Sequence, residues 1–168
     1  IGPENFLFKI TDRFSKEVHV KAFNTQSVEL LNTRDLNVND FKGWFEKTKD
    51  ICVIPPNEER YRHNYGYIDV HHDNDGFNHL FYYDSPQAST GKQLTHGNWE
   101  VTGSGVVGFD YETDTIYFTA NRYNTFSQNI FGVKLDAKRD DELITLQDPT
   151  VKYSYYDYET SSSTRYAL

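Results

Sequence analysis

One part of this chain is written twice, and that repeat limits the folds open to it more than any single motif. NHLFYYD at 78–84 followed by KQLT at 92–95 returns about 50 residues later as NIFGVKLD at 129–136 followed by ELITL at 142–146. Leu80 and Phe81 match Ile130 and Phe131, Leu94 and Thr95 match Ile144 and Thr145, and each copy restarts on an aromatic, Trp99 or Tyr153. A looser copy lies upstream in EVHVKAFNTQSVELL, 17–31. Units of roughly 40 to 50 residues made of four short strands cannot bury their apolar faces alone and stack on their neighbours, as the blades of a β-propeller do. The reading is all-β: two full four-stranded antiparallel blades at about 41–96 and 98–147, with partial blades at about 1–40 and 150–168 on either side.

Local pattern agrees with this period. Short apolar runs alternate with turn chemistry, which predicts strands at 5–10, 17–23, 27–31, 50–55, 66–71, 78–84, 92–95, 99–103, 106–110, 115–121, 129–136 and 142–146, then in KYSYYDY and TRYAL. Tyr, Phe and Trp make up 16% of the residues, a composition that favours sheets. Helical spacing occurs in LNVNDFKGWFEKTKD, where Val38, Phe41 and Phe45 recur and Asn39 or Asp40 is placed to cap; Gly43 in its middle counts against a helix.

GSGVVG at 103–108 satisfies the glycine fingerprint of a dinucleotide site, but that site needs a helix opening on the last glycine and an acid about 20 residues on. Gly108 runs instead into FDYETDTIYFTA, a hairpin turn and a strong strand, so the glycines are expected to serve a turn or bulge where strands crowd together. HHDND at 71–75 holds metal-ligand residue types, yet adjacent strand residues point to opposite faces, and a solvated hairpin tip is the expectation. His63, Glu58 and Glu59 fall in an exposed polar loop, as do Asp140 and Asp141, and the serines at 161–163 precede TRYAL in a turn. Cys52, the single cysteine, sits among apolar neighbours in ICVIP and is expected to be a buried, inert thiol. No GxSxG elbow is present and no nucleophile has an evident partner histidine, so the catalytic set is empty, as are the metal and cofactor sets.

A net charge of −8 supplies no basic field for phosphate backbones or anionic lipid, which excludes nucleic acid as a partner. No run approaches the roughly 18 apolar residues of a membrane span, so any membrane anchor is expected to lie outside this segment. There is no N-linked glycosylation sequon. The chain starts at Ile1 and has no methionine, which reads as a piece cut from a longer protein. A cut propeller leaves sheet edges open, and self-association or marginal stability of the isolated piece is expected.

The stretch QLTHGNWEVTGSGVVGFDYETDTIYFTANRYNTFSQNIFGVKLD, 93–136, resembles the propeller domain of the dipeptidyl peptidase IV family, its fungal dipeptidyl aminopeptidase branch above all. GWFEKTKDICVIP at 43–55, GYIDV at 66–70 and the closing YSYYDYETSSSTRYAL extend the likeness over the whole chain. The resemblance implies a parent with an eight-bladed propeller and an α/β-hydrolase domain, a homodimeric serine exopeptidase that cleaves dipeptides such as X-Pro or X-Ala from free N-termini. It also implies a type II membrane protein of the secretory pathway, vacuole or cell surface, and peptide substrates met through a hydrolase domain absent from this chain. The loop after the GW pair lines the outer substrate cleft in some relatives, which puts Lys47 and Lys49 nearest to substrate. The family's substrate-holding glutamate pair is not carried over to Glu58 and Glu59, because PPNEERYRH does not match that motif. The single thiol differs from the several disulfides of animal relatives. The competing reading is a non-catalytic protein- or carbohydrate-binding β module, including a family member without its triad.

Overall fold

The computed structural model describes residues 1–40, 45, 49–138, 142–148, 150, 155, 158–159, 161 and 164. They form three antiparallel sheets in chain order. The first contains β1 (Asn5–Thr11), β2 (Glu17–Asn24) and β3 (Leu30–Asn37). The second contains β4 (Cys52–Ile54), β5 (Gly66–His72), β6 (Asn78–Tyr83) and β7 (Lys92–Gln93). The third contains β8 (Val101–Asp110), β9 (Thr115–Ala120), β10 (Asn129–Lys134) and β11 (Ile144–Thr145). Each four-stranded sheet is a simple meander, the all-β blade architecture expected from the repeat.

Strand alternation assigns the two faces of the second sheet to two neighbours. Ile68 pairs with Tyr82 and Val70 with Leu80, and this face meets Ile116, Phe118, Phe131 and Val133 of the third sheet in one apolar core closed by Trp99. At about 1.5–3 kcal/mol for each fully buried large apolar side chain, that core dominates the stability of the pair. The opposite face carries Tyr67 across from Tyr83 and Asp69 across from Phe81, and it meets the first sheet.

Several elements differ from their expected form. The strand expected at 27–31 instead begins at Leu30 and runs to Asn37. Asn24 Oδ1 accepts the amides of Gln26 and Ser27, and Val28 is left-handed at φ 56°, so this stretch is a turn. β3 lacks apolar alternation because its buried inward residue is Arg34. The strands expected at 99–103 and 106–110 are one bulged strand, β8. Helical spacing after Leu36 yields a single 3-10 turn at Val38–Asp40, while Phe41 and Gly43 lie outside the described residues, as do most of KYSYYDY and TRYAL. The repeat aligns Phe81 with Phe131 correctly, but Phe81 pairs with Gln93 and Phe131 with Thr145, so the last strands differ in register by two residues. Leu94 is buried where its sequence match Ile144 is exposed.

Candidate functional site

The glycine-rich strand and Lys49 form one junction. Gly103 and Gly105 have φ of 57° and 85°, the left-handed region that glycine enters without a Cβ clash, and β8 slips register against β9 on both sides of Val106. The space so opened is filled by Lys49: a Cβ on Gly105 would stand 2.9 Å from Lys49 Cδ and 3.3 Å from Val70 Cγ2. Lys49 Nζ donates to the Gly103 carbonyl at 2.8 Å, and the Lys49 carbonyl accepts from Lys9 Nζ at 3.2 Å. One residue just before β4 thereby touches the first and the third sheets. After Gly108 the chain turns at Asp110–Asp114 into β9, so among the described residues no helix N-terminus faces these glycines to cradle a phosphate. Lys47, the other residue expected near substrate, lies outside the described residues.

Sequence reasoning missed the charged cluster between the first two sheets. Asp69, fully buried in β5, accepts from Lys9 Nζ of β1 at 2.5 Å and from Arg34 Nη2 of β3. The Arg34 guanidinium lies 4.4 Å over the Tyr83 ring, which stacks on Tyr67 at 4.7 Å. Burial pushes the Asp69 carboxyl up, but Lys9 and Arg34 outweigh it and hold it below the ordinary carboxylate value. Beside this group His71 stacks on Phe81 with ring centroids 3.7 Å apart, and its Nε2 is 3.1 Å from the Tyr83 hydroxyl. The available signal was Asp69 itself, a lone carboxylate inside the apolar run GYIDV.

HHDND is therefore solvated only in part. Asp73 Oδ1 ties the turn by accepting from Asp75 and Phe77 amides, whereas His71 is buried, because the strand runs on through it and turns its ring into the seam. Asp73, His79 and Thr95 superficially resemble a catalytic triad, with Asp73 Oδ2 3.6 Å from His79 Nε2 and Thr95 Oγ1 3.0 Å from Nδ1, but Nε2 donates to the Gly97 carbonyl at 3.1 Å and Asp73 lies beyond hydrogen-bond distance. His79 and Thr95 are fully buried, and Thr95 Oγ1 already accepts the Leu80 amide, so this is a brace between β6 and the segment after β7 that no substrate can reach.

Glu58 holds His63 at 3.0 Å on the exposed 3-10 turn Glu58–Arg60 and the loop after it. Behind that loop lies a polar cleft of about 650 Å³. Arg62 at its base donates to Pro55 O at 2.7 Å and to Asp114 at 2.9 Å, fastening the loop to the β8–β9 hairpin. Cys52 is half-buried, and desolvation lifts its thiol to about 11, which leaves it protonated and unreactive at neutral pH.

Stacked four-stranded meanders that share an apolar core, one of them carrying the bulged, glycine-bearing strand β8, define the chain as β-propeller material. Residues 1–168 match the family described as dipeptidyl peptidase IV (DPP IV) N-terminal region, and the chain belongs to that family. It is 52% identical over its full length to dipeptidyl aminopeptidase A of Saccharomyces cerevisiae, of which it covers 18%, and 32% identical to dipeptidyl aminopeptidase B of the same yeast, of which it covers 20%. These likenesses place it in the fungal branch. The crystal structure of Porphyromonas gingivalis dipeptidyl peptidase 4 shares the fold with a TM-score of 0.66 at 14% identity, over 98% of this chain and 20% of that one. The chain thus spans about a fifth of the length of these relatives.

Proposed function

We propose that this chain is the propeller portion of a serine exopeptidase that removes dipeptides of the X-Pro or X-Ala type from free N-termini, acting as scaffold and as the wall that governs substrate access. The observation that carries the reading is the match of all 168 residues to the N-terminal region of a peptidase family, with relatives named as dipeptidyl aminopeptidases. The chemistry belongs to a hydrolase domain elsewhere in the parent: among the described residues the one triad-like series has its histidine and hydroxyl fully buried, with the imidazole bonded to the Gly97 carbonyl. The parent is a homodimer anchored as a type II membrane protein in the secretory pathway, vacuole or cell surface.

Within this division of labour, the segment leading into β4 is the part nearest to substrate. Lys49 is pinned to the β8 bulge through Gly103, which fixes the end of that segment, and Lys47 lies two residues before it. The test is release of chromogenic X-Pro and X-Ala dipeptides by the 168-residue chain and by the full-length parent. The parent is expected to turn over and the chain alone to release nothing. Turnover by the chain alone, or an inactive parent, overturns the proposal.

A further inference from the structure

The seam between the first and second sheets holds an imidazole whose surroundings favour its neutral form. His71 Nδ1 lies 3.0 Å from the His72 carbonyl, which can only accept, so Nδ1 carries the proton. Nε2 then offers its lone pair to the Tyr83 hydroxyl at 3.1 Å, and the Phe81 ring covers one face. A second proton on this ring would turn the Tyr83 O–H from donor to acceptor and strand its hydrogen. It would also set a third cation beside Lys9 and Arg34, which already share the single carboxylate of Asp69.

We infer that this seam is an acid-operated latch: neutral His71 keeps the first sheet closed on the second, and protonation of its ring loosens the two sheets from one another. Among the described residues, the groups that face the ring come from four strands and the turns beside them. Arg34 comes from β3, Lys9 from β1, Asp69 from its own strand, and Phe81 and Tyr83 from β6. Asp40, Asp73 and His72 line with it a cavity of about 280 Å³ that reaches Leu36 and Asn37 of β3. Burial drives the His71 pKa down to about 4 against the pull of Asp69, with Arg34 and Lys9 adding to the depression. An open seam returns the ring toward its ordinary value near 6.5. The open state therefore binds the extra proton first, and closure weakens as pH falls from about 6.5 toward 4. Asp69 acts in a separate, lower window, because its carboxyl titrates below 3.8.

The experiment is hydrogen–deuterium exchange on the full-length protein at pH 7.5 and 4.5, corrected for intrinsic exchange rates. Protection of β2, β3 and β5 is expected to fall on the order of tens of fold between these values, as two states with those pKa values require. β9 and β10 should hold theirs. His71→Phe, which keeps a ring against Phe81 and cannot titrate, should remove the pH dependence; should that variant fail to fold, His71→Gln gives the same reading. Equal protection at both pH values in the wild type, or the same loss in the non-titrating variant, overturns the latch.

Discussion

The two faces of the second sheet are joined to their neighbours by opposite chemistry. Toward the third sheet, Phe118 stands across from Phe131 in an apolar core; toward the first, the corresponding pair is Asp69 across from Phe81, with Lys9 and Arg34 reaching in to meet the carboxylate. The apolar seam gains free energy in proportion to area and tolerates small shifts. The charged seam gains little net energy, because desolvation of its ions offsets most of their attraction, but any error leaves an uncompensated buried charge. One seam supplies stability, and the other supplies a defined docking position and sensitivity to protons.

Breaking each seam at its centre should give losses of similar size and different character. Asp69→Asn removes the counter-charge of the buried Arg34 and the half-buried Lys9 and is expected to cost about 3–5 kcal/mol in urea unfolding. The combined replacement Lys9→Met, Arg34→Met and Asp69→Leu is expected to recover most of that loss; failure to recover would mean that the ions contribute net stability. The Asp69 contribution is fully present above its unfolded value near 3.8 and is lost as pH falls through its depressed folded value. Phe118→Ala removes a fully buried ring from the apolar seam and is expected to cost about 3–5 kcal/mol with no change in pH profile. A pH-dependent loss there would erase the distinction between the seams.

The junction of all three sheets should respond least. Gly105→Ala imposes a left-handed alanine against Lys49 Cδ and is expected to cost about 1–2 kcal/mol. Lys49→Met keeps the packing of the stem but deletes the bond to Gly103 O, for about 0.5–1.5 kcal/mol. Thermal unfolding of the two single variants and the double measures their coupling, and strict additivity would show that the bulge does not exist to receive Lys49.

Much of this architecture was legible in the chain. Strand positions followed from period-2 patterning wherever one face is apolar, as in TIYFTA and GYIDVH. β3 escaped because its inward residue is a buried arginine whose partner lies 35 residues on, and a pattern that counts apolar side chains cannot register a buried ion pair. The same limit hid the candidate site: Lys9, Arg34, Asp69 and His71 come from three strands of two sheets, and nothing along the chain joins them, His71 reading only as part of the HHDND turn.

Sequence alone determined that the chain is a run of short antiparallel strands repeating about every 50 residues, because backbone pairing and side-chain alternation are local and leave a periodic trace. It also determined that GSGVVG is no phosphate cradle, since the strand that follows forbids the helix a cradle needs. Only the tertiary structure decided what the glycines admit, which is the stem of Lys49, and which sheet face meets charge instead of oil. Both depend on what stands across a gap between sheets, and that distance in space has no counterpart along the chain.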